Sequence, residues 1–335
     1  MEVAAANAKL SLRNDYSEGA HPRLLQALAV ASAEINRGYG LDVHSERAAA
    51  LIRDRLGRDA DVHFLAGGTQ TNLVALAAFL RPHEAVIAPA SGHKVLTVAT
   101  PDGKLSPALI QPCVDGHHGE HMVKPRLVYI SNTTEWGTVY SAAELQALGG
   151  FCRDRGLLLY VDGARLASAL TTEGNDVDLA LLAGQADAFY IGGTKNGALL
   201  GEALVIVNPE LRTDFRHVIK QRGAMLAKGM VVGAQFEALF EDGLYFVLAT
   251  HANVMAQRLR DILQQAGVPL AIDSPSNQLF PVLPDAVVAQ LQQWVEFETW
   301  ERRGDGTTVI RLVTSWATPE SAIEAFAALT SALRS

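Results

Sequence analysis

A chain of 335 residues exceeds what one compact core usually organises, so a large domain with a smaller companion is expected. Hydrophobic residues make up 49% and charged residues 19%, an ordinary globular balance that excludes long disorder and a fibrous protein. The formal net charge of -8 argues against a nucleic-acid or anionic-membrane partner, yet it leaves room for a local basic pocket.

Met1 to Leu10 holds no basic segment followed by a long apolar run, so no signal peptide is expected. No apolar stretch approaches the ~18 residues of a membrane helix. Two cysteines, Cys113 and Cys152, are too few for a disulfide framework and are read as reduced thiols, which fits a cytoplasmic protein.

From Pro22 to Leu56 the spacing of Leu24, Leu28, Ile35, Ala48, Leu51, Ile52 and Leu56 predicts two helices flanking a Gly38-Tyr39-Gly40 turn. Short apolar runs then alternate with helical patterns: Val62 to Ala66, a helix from Thr71 to Leu80, Glu84 to Ala88, and Leu127 to Ser131. Such alternation predicts a mainly parallel sheet covered by helices. Ser141-Ala142-Ala143-Glu144 is a capping box opening a helix to about Arg155. Strands follow at Leu157 to Val161, Ala188 to Ile191 and Ala203 to Val207. Beyond Phe240 the texture changes to a long helix near Tyr245 to Gln265, strands near Leu279 to Leu283, Val295 to Thr299 and Thr308 to Val313, and a closing helix from Pro319 to Leu333. Residues 1–240 are therefore assigned to an N-terminal segment and a large α/β domain, and residues 241–335 to a small α+β domain.

Four local features carry chemistry, and each has a plainer reading. Gly67-Gly68-Thr69-Gln70-Thr71-Asn72 lies between a strand and a helix, where glycines admit a ligand and the helix start favours a phosphate. It is equally an ordinary glycine turn with a threonine cap. It is not a Walker loop, because no Gly-Lys-Ser/Thr follows. Tyr160-Val161-Asp162-Gly163-Ala164-Arg165 sets a carboxylate at the carboxyl end of a strand, where ligands of open α/β sheets collect. Asp162 could pair with a protonated ring nitrogen and keep a pyridine electron-withdrawing. By itself, Asp-Gly is also simply a turn.

Ile191-Gly192-Gly193-Thr194-Lys195-Asn196-Gly197 again follows a strand, with small residues leaving room around Lys195. An imine-forming lysine must be neutral, which a confined site near other positive charge would favour; a solvated surface lysine is the plainer reading. Arg311 interrupts the apolar strand Val309-Ile310-Arg311-Leu312-Val313, and its planar fork suits either a substrate carboxylate or an internal salt bridge.

Together these residues resemble the threonine aldolase and β-eliminating lyase family of fold-type-I pyridoxal-phosphate (PLP) enzymes. The specific pieces are Gly67 to Asn72, Leu159 to Leu166 and Gly192 to Lys195; Asn14 to Pro22 and Arg222-Gly223-Ala224-Met225 are similar to family segments as well. The resemblance implies an α/β, aspartate-aminotransferase-like fold with a mainly parallel sheet and a small C-terminal α+β domain. It implies that Lys195 forms the imine with PLP, that Asp162 pairs with the pyridine nitrogen, and that Gly68 with Thr69 grips the phosphate. Arg165 and Arg311 would hold the carboxylate of a small amino-acid substrate, with Ser17 completing that site. His121, upstream of Asn132, matches a family histidine near the substrate hydroxyl, although it also reads as a surface histidine beside His117 and His118. The activity implied is cleavage of L-threonine or L-allo-threonine to glycine and an aldehyde. β-Elimination to a keto acid and ammonia, or silent PLP binding, remain open alternatives.

The sequence departs from the family pattern twice. Ser91-Gly92-His93 runs straight into Lys94-Val95-Leu96, without the segment that family members carry between the ring-stacking histidine and the next strand. His93 is the stacking candidate, and residues missing from the sequence as given are expected there rather than a true deletion. Leu226 stands where related aldolases place a basic residue that reaches the phosphate of a neighbouring subunit. Arg222 or Lys228 is the expected substitute, in a homodimer or homotetramer with active sites at the subunit interface.

Overall fold

The computed structural model describes residues 9–88 and 95–332. Strand β1 (Leu10–Ser11) precedes helices α1 (Pro22–Ser32) and α2 (Val43–Leu56). Pro22 sits in the first turn of α1, and the Asp42 carboxylate accepts the Ser45 amide at 2.8 Å to start α2. There follow β2 (Asp61–Leu65), α3 (Gly68–Phe79), β3 (Glu84–Ala88), β4 (Val95–Thr97), α4 (Pro107–Gly116), β5 (Lys124–Ser131), α5 (Ala142–Asp154), β6 (Leu158–Asp162), the short α6 (Leu166–Leu170) and α7 (Leu179–Gln185), β7 (Ala188–Gly192) and β8 (Glu202–Ile206). Helices α8 (Phe215–Gln221), α9 (Met230–Glu241) and the long α10 (Leu244–Gln265) lead to β9 (Gln278–Leu279), β10 (Val282–Pro284), α11 (Asp285–Leu291), β11 (Val295–Glu296), β12 (Glu298–Arg302), β13 (Thr307–Val313) and α12 (Glu320–Ala332).

The central sheet has seven strands in the order β2-β8-β7-β6-β5-β3-β4, and only β8 runs against its neighbours. Every residue of β6, β7 and β8 is buried. A strand covered on both faces is apolar over most of its length, which makes these three readable as continuous runs, with Asp162 and Glu202 as their charged end residues. One face carries Val128, Ile130, Val161, Phe189 and Ile191 against α5, α7 and α10. The other carries Leu127, Tyr160, Tyr190 and Leu204 against Val74, Ala75 and Phe79 of α3 and Phe215 and Ile219 of α8. The capping box forms as expected: the Ser141 hydroxyl receives the Glu144 amide while the Glu144 carboxylate receives the Ser141 amide at 2.9 Å.

A further core gathers Leu12, Met255, Leu259, Leu263, Ile310, Leu312, Ile323 and Phe326, so α10 supplies its first turns to the sheet core and its later turns to this one. β1 pairs in parallel with β11, which ties the N-terminal segment to the C-terminal elements. The run expected from Leu279 to Leu283 is divided into β9 and β10 at Phe280-Pro281, because proline has no amide to donate to a ladder. The six residues between the parallel neighbours β3 and β4 include His93, so the stacking candidate and the expected missing segment lie outside the described residues. Among the described residues no helix is long and apolar enough to cross a membrane. Cys113 and Cys152 are both free thiols, as expected.

Candidate active site

Asp162 is the last residue of β6, and Tyr160, two residues back, shares its face of the sheet. That face is lined with hydroxyls. Tyr190 donates to Asp162 Oδ1 at 2.6 Å, and the Ala164 amide reaches the same oxygen at 3.0 Å. Oδ2 accepts the Tyr129 hydroxyl and the Asn72 side-chain amide, the latter at 2.8 Å. Tyr160 in turn donates to Asn72 Oδ1 at 3.0 Å, which orients the amide. Four donors thus hold one carboxylate that is 9% exposed. Burial and the Asp162 charge push the Tyr129, Tyr160 and Tyr190 hydroxyls far above the usual phenol range, so they remain donors.

The chain after Asp162 lies tight against β7: a Cβ on Gly163 would fall 1.7 Å from the Tyr190 carbonyl oxygen, so only glycine fits. The Gly192 amide donates to the Gly163 carbonyl at 3.0 Å, linking the Asp162 turn to the Lys195 turn. Lys195 follows β7 at the same end of the sheet. Burial, then the nearby Arg165 guanidinium, push its amine below the usual lysine range, while Asp15, Asp162 and Glu135 pull the other way. Its Nζ stands 5.9 Å from the centre of the Tyr16 ring.

Glu202, at the start of β8, supports this turn. It is fully buried, and it accepts the Gly193 amide at 2.9 Å. Desolvation raises its carboxyl to about 7, against the Gly193 hydrogen bond and the Lys195 charge.

Gly68 and Thr69 open α3, whose N-cap Gly67 brings no side-chain cap. The first-turn amides therefore present an uncapped, electropositive end. A Cβ on Gly68 would come within 2.9 Å of the Tyr190 hydroxyl, so the close approach of helix and sheet depends on glycine there.

The substrate-side arginines differ. Arg165 gives Asp15 a two-pronged ion pair, Nε at 2.7 Å and a terminal nitrogen at 2.9 Å, and both side chains are buried. Asn277 adds a bond to the same carboxylate at 3.0 Å. Burial would raise Asp15, but the Arg165 and Lys195 charges and these hydrogen bonds outweigh it and leave the carboxyl below its usual range. Arg311 makes no ion pair among the described residues. Its Nε is buried without a partner, and its guanidinium lies 5.3 Å from the centre of the Trp300 ring. Burial and the Arg165 charge lower its pKa. Ser17, beside Tyr16, is exposed and donates to Asn14 at 2.8 Å.

Asp162, Lys195, Arg165, Arg311, Gly68, Thr69 and the Asn14–Ser17 segment are thus tied to the carboxyl end of one sheet. His121 is not. It is exposed in the turn before Lys124, at the start of β5, whereas Ser131 at the far end of β5 pairs with Asp162. Seven residue-to-residue steps along the strand separate those ends, ~23 Å at ~3.3 Å per step. Within one chain His121 does not reach the site, contrary to the expectation. Arg222 and Lys228 are exposed, at the end of α8 and before α9.

Several residues had no role in the sequence reading: Asn72, Tyr129, Tyr190, Asp15, Asn277, Glu202 and Trp300. Asn72 and Asp15 stood inside the segments quoted for the resemblance. Nothing local marks the tyrosines, whose hydroxyls converge only because three strands are in register.

Residues 88–286 match the family model described as Beta-eliminating lyase. This chain belongs to that family. A low specificity L-threonine aldolase of Pseudomonas sp. (strain NCIMB 10558) is 32% identical over 94% of this chain and 95% of its own length. Another low specificity L-threonine aldolase, from Escherichia coli (strain K12), is 26% identical over 86% of this chain and 88% of that one. Among solved structures, Leishmania major threonine aldolase superposes with a TM-score of 0.94 at 48% identity, covering 97% of this chain and 99% of that chain. Serine palmitoyltransferase of Sphingomonas wittichii, with a TM-score of 0.72 and 14% identity, covers 98% of this chain and 88% of that chain, and shares the fold. The fold expected for a fold-type-I PLP enzyme is thereby borne out. The donor set suits PLP: an anion for a ring nitrogen, a confined lysine of lowered pKa, and an uncapped helix end for a phosphate.

Proposed function

We propose that this protein is a PLP-dependent lyase that cleaves L-threonine, L-allo-threonine and related β-hydroxy-α-amino acids to glycine and an aldehyde. The observation that carries the reading is the Asp162 carboxylate, fixed by four donors and joined through the Gly163–Gly192 contact to the turn bearing Lys195. The relatives named threonine aldolases support the reaction type.

PLP bound there supplies an electron sink for a bond at the α-carbon. Lys195 would attach the cofactor, its lowered pKa favouring the neutral amine that such attachment needs. Asp162 would keep the ring nitrogen protonated, Gly68 and Thr69 would hold the phosphate at the start of α3, and the ring-stacking role is proposed for His93 from the sequence alone. Arg311, with its free Nε, takes the substrate carboxylate. Arg165, steadied by Asp15, and Ser17 complete that subsite. Holding the carboxylate orients the substrate, so that the bond weakened at the α-carbon would be Cα–Cβ. Arg222 or Lys228 of a neighbouring subunit reaches the phosphate in a homodimer or homotetramer, and their exposure supports this. We read the protein as cytoplasmic, with residues 1–240 forming the cofactor domain and 241–335 the small domain.

The test is product analysis of PLP-loaded protein with L-threonine, L-allo-threonine and L-serine. Glycine with an aldehyde is expected. Keto acid with ammonia would move the protein to β-elimination, and no product despite a borohydride-reducible attachment at Lys195 would overturn the assignment.

A further inference from the structure

Aldol cleavage needs a base for the β-hydroxyl, and His121 does not reach the site of its own chain. The loop leaving β5 does. The Asn132 amide extends the β5–β6 pairing by donating to the Asp162 carbonyl at 2.9 Å. The next residues form a turn, closed by the Thr134 amide on the Thr138 carbonyl and the Gly137 amide on the Thr134 carbonyl, both at 2.9 Å. Thr138 Oγ1 is tied to the Asp102 carbonyl at 2.8 Å, and Ser274 donates to the Gly137 carbonyl at 3.0 Å. Trp136 packs its ring 5.3 Å from Trp300, the residue against which Arg311 rests. The turn is therefore held on both sides, by the β6 end that carries Asp162 and by the aromatic support of Arg311. Glu135 is its exposed residue.

Its neighbours' charges agree with that position. Lys195, Arg165 and Arg311, from three separate elements, each feel the Glu135 carboxylate. Other carboxylates of the site are committed. Asp162 is held by four donors, Asp15 by Arg165 and Asn277, and Glu202 lies buried under the Gly193 amide. Glu18 accepts Ser315, and Glu298 pairs with Arg13 at 2.6 Å. Glu135 has no hydrogen bond or ion pair of its own among the described residues.

We propose that Glu135 is the catalytic base that takes the proton of the substrate β-hydroxyl, an inference resting on the aldolase reading above. As the Cα–Cβ bond breaks, its electron pair stays on the Cα side. The O–H bond breaks, its electrons form the carbonyl of the departing aldehyde, and its proton passes to the Glu135 carboxylate. Cα later gains a proton and Glu135 returns its own to solvent, so no proton is gained or lost overall.

The experiment compares wild type with Glu135→Gln and Glu135→Asp in the PLP-loaded protein. Two quantities are read: kcat and KM for L-threonine, and exchange of the glycine α-hydrogen with deuterium by NMR, which uses the same carboxylate site but no β-hydroxyl. Glu135→Gln should lower kcat by roughly 100-fold or more, with glycine affinity and exchange kept and with partial recovery in Glu135→Asp. Turnover of Glu135→Gln close to wild type would overturn the proposal. So would a parallel loss of glycine affinity and exchange, which would make Glu135 a counter-charge for the arginines. If wild type yields no aldehyde from threonine, the aldolase reading itself falls, and this inference with it.

Discussion

Asp162 and Arg311 are both charged side chains set at apolar strands, and their surroundings are opposite. Asp162 has four donors, drawn from β5, β7, α3 and its own turn. Arg311 has an aromatic plate and a buried Nε with no partner. A buried polar group left unpaired costs free energy, so native proteins keep few of them, and those kept often mark ligand sites. The cofactor end of the site is preorganised before anything binds, whereas the substrate end holds a hydrogen bond in reserve.

The contrast can be broken at the Asp162 end first. Asp162→Ala removes the ring-nitrogen partner and strands three side-chain donors, so turnover of threonine should fall on the order of a thousandfold. Steady-state kinetics of the PLP-loaded variant check this. Asp15→Ala leaves Arg165 as an unpaired buried cation, and urea denaturation should show a loss of roughly 3–5 kcal/mol in stability. A small change there would mean that Arg165 turns to solvent once released.

Glu202 offers a pH test of the same preorganised region. Its carboxyl is raised from 4.5 to about 7 in the folded chain. Between those values the folded chain holds a proton that the unfolded chain has released. Stability from this residue is therefore full below the unfolded value and is lost as pH rises through about 7. The loss is on the order of 3 kcal/mol. Glu202→Gln should flatten that part of the stability curve while keeping an acceptor for the Gly193 amide, as denaturation at a series of pH values would read.

At the substrate end the effects should be smaller and confined to binding. Arg311→Ala should raise KM for L-threonine by roughly 10- to 100-fold, the worth of a hydrogen bond to a charged group, with cofactor affinity unchanged. An unchanged KM would assign the substrate carboxylate to Arg165. Trp300→Leu removes the cation–π support of Arg311, worth about 1 kcal/mol, together with the edge contact to Trp136, and should raise KM a few-fold.

Legibility followed locality. The strand Glu84–Ala88 was read to the residue, and β6, β7 and β8 to within a residue at each end, because each is a short apolar run bounded by turn residues. Helix α4 went unread, since Pro112 lies inside it and breaks the usual signal. The β11–β12 run was read as one strand although Phe297 separates the two segments. The role given to His121 rests on its distance along the chain from Asn132, but the eight residues of strand β5 carry the chain from the amino end of the sheet to its carboxyl end.

By itself the sequence determined the family, the parallel sheet and the placing of Asp162 and Lys195 at strand ends, because a strand end followed by glycine is a property of a few adjacent residues. Only the tertiary structure decided which charges are already spent. Arg165 meets Asp15 across 150 positions, Asn277 meets Asp15 across 262, and Arg311 is left free. Pairing of that kind depends on where distant segments come to rest after the strands have stacked, and no local pattern records it.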